Sequence, residues 1–220
     1  MIKVGIITDS NSGITQAEAK KLNIFVIPMP FTMDGEEYFE DINISQDEFY
    51  EKLKLQSDVK TSQPSQYYLE DLWNEQLQKY DELIYIPMSS GLSSTCENAT
   101  RYALSYNGKV QVVDNLRISL SQKESVFEAI ALRKLGRTAK EIKDYLEGTK
   151  EKSSIYITVN DLSYLKKGGR ILSAVYALGS LLNVKPILFT RGGKFDKFAI
   201  VLSFGQAKKK MLQQIKHELE

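Results

Sequence analysis

The chain has 220 residues, 29 Lys+Arg against 28 Asp+Glu, 42% hydrophobic residues, and a single His, Cys and Trp. That length buries a core without a disulfide or metal staple; Cys96 has no partner for an internal disulfide, and Cys96 with His217 falls short of a zinc ligand set. A formal charge of +1 offers no global field for nucleic acid, the apolar runs are too short to cross a bilayer, and Asp9 interrupts the start before a signal-peptide core forms, so the expectation is a cytoplasmic protein.

Taken in chain order, VGIIT at 4–8 predicts a first strand that runs into Asp9-Ser-Asn-Ser-Gly13. This is the carboxyl edge, where open α/β sheets place their sites. An aspartyl-phosphate enzyme needs a second acid two residues on, and position 11 is Asn, so a helix-capping turn is the preferred reading of Asp9. Thr15-Gln-Ala-Glu18 is a capping box and opens a predicted helix over 15–22, followed by a strand at 24–28. Residues 33–45, MDGEEYFEDINIS, read as a long acidic loop, functional or mobile at that length. A second capping box, Ser45-Gln-Asp-Glu48, opens a helix over 46–55, and further helices are predicted over 66–79, 92–106, 119–135 and 139–147, with strands at 82–87 and 110–114.

The last of these helices starts at a third capping box, Thr138-Ala-Lys-Glu141, and ends at a charged, glycine-led break, Gly148–Ser153. The break marks a domain junction, giving residues 1–150 and 151–220. A second set of strands follows at 154–159, 186–189 and 197–203. Between them Asp161–Arg170 leads through Gly168-Gly169, with Arg170 expected to start an apolar helix over 171–183, which reads either as core or as a greasy wall facing a ligand. Val/Ile-rich strands alternating with helices indicate an α/β fold of two domains: an N-terminal parallel sheet flanked by helices, and a smaller second α/β domain. The stretch from Lys208 to Glu218, which holds His217, reads as a solvated helix and supplies no triad.

No G-x-G-x-x-G follows a strand, and neither a P-loop nor a G-x-S-x-G elbow is present. Two hydroxyl clusters remain, Lys60-Thr-Ser-Gln-Pro-Ser65 and Met88-Ser-Ser-Gly-Leu-Ser-Ser-Thr95, each at the mouth of a helix. Backbone amides at a helix start, with hydroxyls beside them, suit a small anion. The same residues are also the ordinary caps of a helix, and the two readings stand level.

The ordered motifs Thr8-Asp-Ser10, Val26-Ile-Pro28 with Asp34-Gly35, Thr61-Ser-Gln-Pro-Ser65, Ser89-Ser-Gly-Leu-Ser-Ser-Thr95, Leu165-Lys-Lys-Gly-Gly-Arg170 and Leu182-Asn-Val-Lys-Pro-Ile187 resemble the signature of the DegV family. These are the bacterial fatty-acid-binding proteins of the FakB type. The resemblance implies a two-domain carrier, not itself an enzyme, that needs no cofactor and buries one long-chain fatty acid as its ligand. A separate fatty-acid kinase would phosphorylate the presented carboxylate for phospholipid synthesis. It implies a ligand-binding set of Thr61, Ser62, Ser93 and Ser94, with Arg170 near the opening; a transient contact with a membrane surface is left open. The chain departs from the family at Ser94, where glycine is usual, and over Asn115–Gln122, where a serine-rich loop with glycine is usual. It also stops at Glu220, short of the family's glycine-rich segment and its histidine.

Two alternatives use the same residues otherwise. One is a phosphotransfer component or small-molecule kinase subunit working through Asp9 or a loop serine; the other is a regulatory interaction module docking through Lys166, Lys167 and Arg170.

Overall fold

The computed structural model describes residues 2–55, 57–172 and 184–220. Its contacts divide the chain into two units, Met1–Lys152 and Ser153–Glu220.

The first unit is built on a parallel sheet of β1 (Val4–Asp9), β2 (Phe25–Ile27), β6 (Glu82–Ile86) and β7 (Val110–Val112), in the order β2-β1-β6-β7. All six residues of β1 are buried, as a strand covered on both faces must be. Alternation sends Val4 and Ile6 to one face, against Val126, Ala129, Ile142 and Leu146. These lie on α5 (Leu120–Lys134) and α6 (Ala139–Gly148). Ile7, Leu83 and Tyr85 go to the other face, with Leu69, Trp73, Cys96 and Ala99 of α3 (Gln66–Gln76) and α4 (Thr95–Ala103). Gly5 fits because a Cβ there would meet Leu83 Cδ2 at 2.7 Å.

The three capping boxes form as read. In each, the hydroxyl of Thr15, Ser45 or Thr138 accepts the amide of Glu18, Glu48 or Glu141, and the glutamate reaches back to the cap's own amide. They open α1 (Gln16–Leu22), α2 (Gln46–Lys54) and α6.

The acidic stretch is a loop only in part, at the turns 34–35 and 41–43. β3 (Pro30–Met33) and β4 (Glu36–Phe39) make an antiparallel hairpin, completed by β5 (Val59–Thr61) in the order β4-β3-β5. Asp34 and Gly35 form its two-residue turn with φ of 54° and 89°, the positive values that match strand twist and select Asp-Gly. Asp34 also accepts the Asp58 amide at 2.8 Å, and Phe31, Met33 and Ile44 form a small core under the sheet.

In the second unit, β8 (Ile155–Thr158), β9 (Lys185–Thr190) and β10 (Asp196–Val201) form an antiparallel sheet in the order β10-β9-β8. The terminal helix α8 (Phe204–Leu219) buries Ala207 against it, next to Ile187 and Ala199. Ser154 and Tyr156 donate to Glu218, each at 2.6 Å. His217 is exposed on this helix.

A short helix, α7 (Ser163–Lys167), ends in the Gly168-Gly169 turn. Arg170 does not start a helix there: Ile171 bridges Phe195, whose amide donates to Arg170 O at 2.8 Å. The rest of the expected apolar helix, 173–183, lies outside the described residues.

Candidate functional site

The site region is a group of loops at the carboxyl edge of the parallel sheet. Where the β1–β6 ladder stops at Thr8 and Ile86, side chains continue the connection. Asp9 is fully buried. Its Oδ1 accepts from the Asn11 amide at 3.1 Å, from Asn11 Nδ2 at 3.0 Å and from Gln122 Nε2 at 3.0 Å; its Oδ2 accepts from the Met88 amide at 2.9 Å. Burial raises the Asp9 pKa above the usual carboxylate value, opposed by these hydrogen bonds. Asp9 does cap, but only the short three-ten turn Ser10–Ser12; the helix that follows, α1, is capped by Thr15. The same carboxylate also ties the start of the serine loop to β1.

The serine loop turns on Ser89. Its carbonyl accepts the amides of Leu92 and Ser93, each at 3.1 Å, and its Oγ accepts the Gly91 amide at 3.1 Å. This turn delays the helix, so α4 begins at Thr95 and not at 92. Ser93 Oγ accepts the Thr95 amide at 3.2 Å and shares a hydrogen with Thr95 Oγ1 at 2.9 Å. Ser94 occupies the N-cap position of α4 yet makes no capping bond; its hydroxyl donates to Gln63 Oε1 at 3.0 Å.

Gln63 belongs to the other hydroxyl cluster and also accepts from Asn98 Nδ2 at 2.8 Å. Beside it Thr61 ends β5 opposite Phe31 and is exposed. Ser62 donates through both its amide (3.1 Å) and its Oγ (3.4 Å) to Pro30 O, and Ser65 alone caps α3 in the ordinary way, accepting the Tyr68 amide at 3.1 Å. Thus Thr61, Ser62, Ser93 and Ser94 sit on two loops that Gln63 joins. Arg170 lies in the second unit, where it is half-buried; its amide donates to Leu165 O at 2.9 Å and its guanidinium to Gly168 O.

Gln63 and Asn98 had no role assigned from the sequence. Gln63 stands inside the first hydroxyl cluster, and Asn98 one helical turn beyond Ser94, the i, i+4 spacing that places side chains together. Gln122 ends the stretch Asn115–Gln122 that departs from the family's pattern; there Leu116 and Ser119 have φ of 58° and 57°, and α5 still starts at Leu120, next to the expected position.

Beside the Asp9 loop a cleft of about 210 Å³ is lined by Ile14, Val26 and Ile44 together with Glu40 and Asp41. Its carboxylates, Glu40 and Asp41, disfavour an anion in that cleft. The buried Cys96 thiol is pushed up to about 12 by desolvation and so is not a nucleophile near neutrality. Among the described residues no group of His, Cys, Asp and Glu could hold a metal ion, and no described helix is long and apolar enough to cross a membrane.

A family model described as "Uncharacterised protein, DegV family" matches residues 3–220. A DegV domain-containing protein of Staphylococcus aureus is 32% identical over 196 residues, covering 89% of this chain and 70% of that protein. A solved structure reporting fatty acid binding of a DegV family protein from Thermus thermophilus superposes with a TM-score of 0.90 at 28% identity, over 100% of this chain and 79% of that one. DegV, a fatty acid binding protein from Bacillus subtilis, superposes with a TM-score of 0.86 at 30% identity, over 99% and 78%.

Proposed function

The chain belongs to the DegV family, and on that premise we propose that it binds one long-chain fatty acid, its carboxylate held by Thr61, Ser62, Ser93 and Ser94. Arg170 would stand near the opening, and the domain of residues 1–150 would carry the head-group loops. One observation carries this reading: Ser94 gives its hydroxyl to Gln63, not to its own helix, so the two hydroxyl loops are tied into one surface; on binding, the carboxylate would take the hydrogens that Ser94 gives to Gln63 and Ser62 gives to Pro30 O, and Gln63 Oε1 would keep its bond from Asn98. The similar proteins from T. thermophilus and B. subtilis, both described as binding fatty acid, support the choice of ligand.

The energetics suit it. Burying a tail of about fifteen methylenes at about 0.8 kcal/mol each supplies on the order of 12 kcal/mol before ordering costs. The tail then provides affinity, and the hydroxyls have only to keep the carboxylate satisfied, since a buried charge without partners is costly. Neutral donors leave the carboxylate nucleophilic, which suits a non-enzymatic carrier acting in the cytoplasm. A separate fatty-acid kinase would take the presented carboxylate to an acyl phosphate for phospholipid synthesis. The phosphotransfer alternative in its Asp9 form is disfavoured because both oxygens of Asp9 are buried in hydrogen bonds.

Denaturing the purified protein, extracting it with organic solvent and weighing the extract by mass spectrometry tests the reading. A stoichiometric long-chain fatty acid is expected, with Thr61→Ala and Ser93→Ala proteins losing acyl-phosphate formation when a fatty-acid kinase and ATP are added. An empty protein that also ignores added oleate and palmitate would end it.

A further inference from the structure

The serine loop is held from below by a side chain that touches none of its hydroxyls. Gln122, on the first turn of α5, is fully buried. Its Nε2 lies 3.2 Å from Thr8 Oγ1, 3.0 Å from Asp9 Oδ1 and 3.2 Å from Ile86 O. Thr8 Oγ1 itself donates to Ile86 O at 2.8 Å. A single amide thus joins the ends of β1 and β6 to the start of α5. Met88, two residues past Ile86, is then fixed by Asp9 Oδ2, and Ser89 donates its amide to Arg117 O at 2.9 Å.

The first residues of the loop are therefore clamped from β1, from α5 and from the 115–119 segment. Arg117 is a firm anchor, bonded through its guanidinium to Glu128 at 2.9 Å, Ser125 at 3.1 Å and Thr149 Oγ1 at 3.1 Å. Gln122 Oε1, in contrast, is buried and has no hydrogen-bond partner among the described residues. A buried carbonyl oxygen left unmatched costs stability, and an apolar side chain of similar size would avoid that cost. What the amide contributes is its NH2 group, and every acceptor that group meets is at the root of the serine loop.

We infer that Gln122 is a positioning residue for head-group recognition: through Asp9 and Ile86 it sets where the serine loop leaves the sheet, and hence where Ser93 and Ser94 stand. The inference rests on the fatty-acid reading above for what those serines recognise. Position matters at this scale because a hydrogen bond to a charged group weakens steeply as it lengthens or bends.

The test compares Gln122→Met, which keeps the bulk and removes the donor, with Val126→Ala, a cavity variant one turn along the same buried face. Delipidated proteins are titrated with palmitate and with hexadecanol, which shares the tail and lacks the carboxylate. Gln122→Met is expected to weaken palmitate by about tenfold or more while changing hexadecanol by less than about twofold. Val126→Ala should lower the melting temperature and keep the ratio of the two ligands. A Gln122→Met protein with an unchanged ratio, or one that loses both ligands equally, overturns the inference.

Should the parent protein bind neither ligand, the fatty-acid reading fails by itself, and hydrogen exchange still judges the positioning role. The Met88 and Ser89 amides are then expected to exchange about tenfold faster in Gln122→Met than in Val126→Ala; equal rates overturn it. If Gln122→Met does not fold, Gln122→Asn, which withdraws the same amide by one methylene, takes its place in both comparisons.

Discussion

Asp9 and the capping-box glutamates are carboxylates under opposite pressures. The backbone amides of Thr15, Ser45 and Thr138 pull the pKa values of Glu18, Glu48 and Glu141 down. Their contribution to stability is present above the ordinary value of 4.5 and is lost as pH falls through the lowered values. Asp9 runs the other way, because burial outweighs its four donors. The folded chain holds its proton more tightly than the unfolded chain, so its contribution is full below 3.8 and is lost as pH rises through the raised folded value. Protonated Asp9 carries one hydrogen and keeps a lone pair on each oxygen for its donors, whereas the NH2 of Asp9→Asn carries two hydrogens and accepts nothing, so the variant is expected to destabilise by about 1–3 kcal/mol in acid. Since asparagine does not ionise, the deficit should narrow toward neutrality. Urea unfolding of both proteins at pH 4 and pH 7 measures the gap; a gap that widens with pH contradicts this account of Asp9.

At the scale of elements, the hairpin of β3 and β4 is set by its turn. A Cβ added at Gly35 meets nothing within 4 Å, so Gly35→Ala isolates the backbone cost of a positive φ, about 1–2 kcal/mol. Gly5→Ala is the contrast: its backbone is ordinary, and the cost comes from driving a methyl into Leu83 and Tyr80. Chemical denaturation should show both losses, with only Gly5→Ala forcing side chains of the parallel-sheet core to move. The Asp-Gly pair was visible in the sequence, but it was hidden in an acidic run whose half-buried positions, Tyr38 and Phe39, do not stand out as an apolar alternation. The capping boxes were legible because each closes within four residues. The two hydroxyl clusters were legible as composition and not as a site, because cap and cradle use the same residue types. The bond that ties the two clusters together, Ser94 to Gln63, joins positions 31 apart, and local pattern carries no information at that range. Gln122 was hidden for the same reason, its partner Asp9 being 113 positions away.

At the scale of the molecule, the formal charge of +1 conceals two unequal halves. Met1–Lys152 carries 24 acidic and 18 basic side chains, and Ser153–Glu220 carries 4 acidic and 11 basic. Among the described residues each unit has a hydrophobic cluster of its own, so heat need not unfold them in one step. The single tryptophan makes them distinguishable: Trp73 is fully buried in the first unit, between Tyr85 and Tyr106, and its fluorescence reports that unit alone, while calorimetry registers both. Thr61, Ser62, Ser93 and Ser94 all belong to the first unit. Palmitate at about one hundred times its Kd should therefore stabilise that unit by about 2.7 kcal/mol. For a transition of this size that corresponds to a rise of roughly 5–11 °C in the Trp73 fluorescence midpoint. A calorimetric shift with the Trp73 midpoint unmoved would assign the carboxylate to groups outside the hydroxyl loops. A shift seen by both probes in the parent protein, and reduced in Thr61→Ala, would tie the stabilisation to those loops.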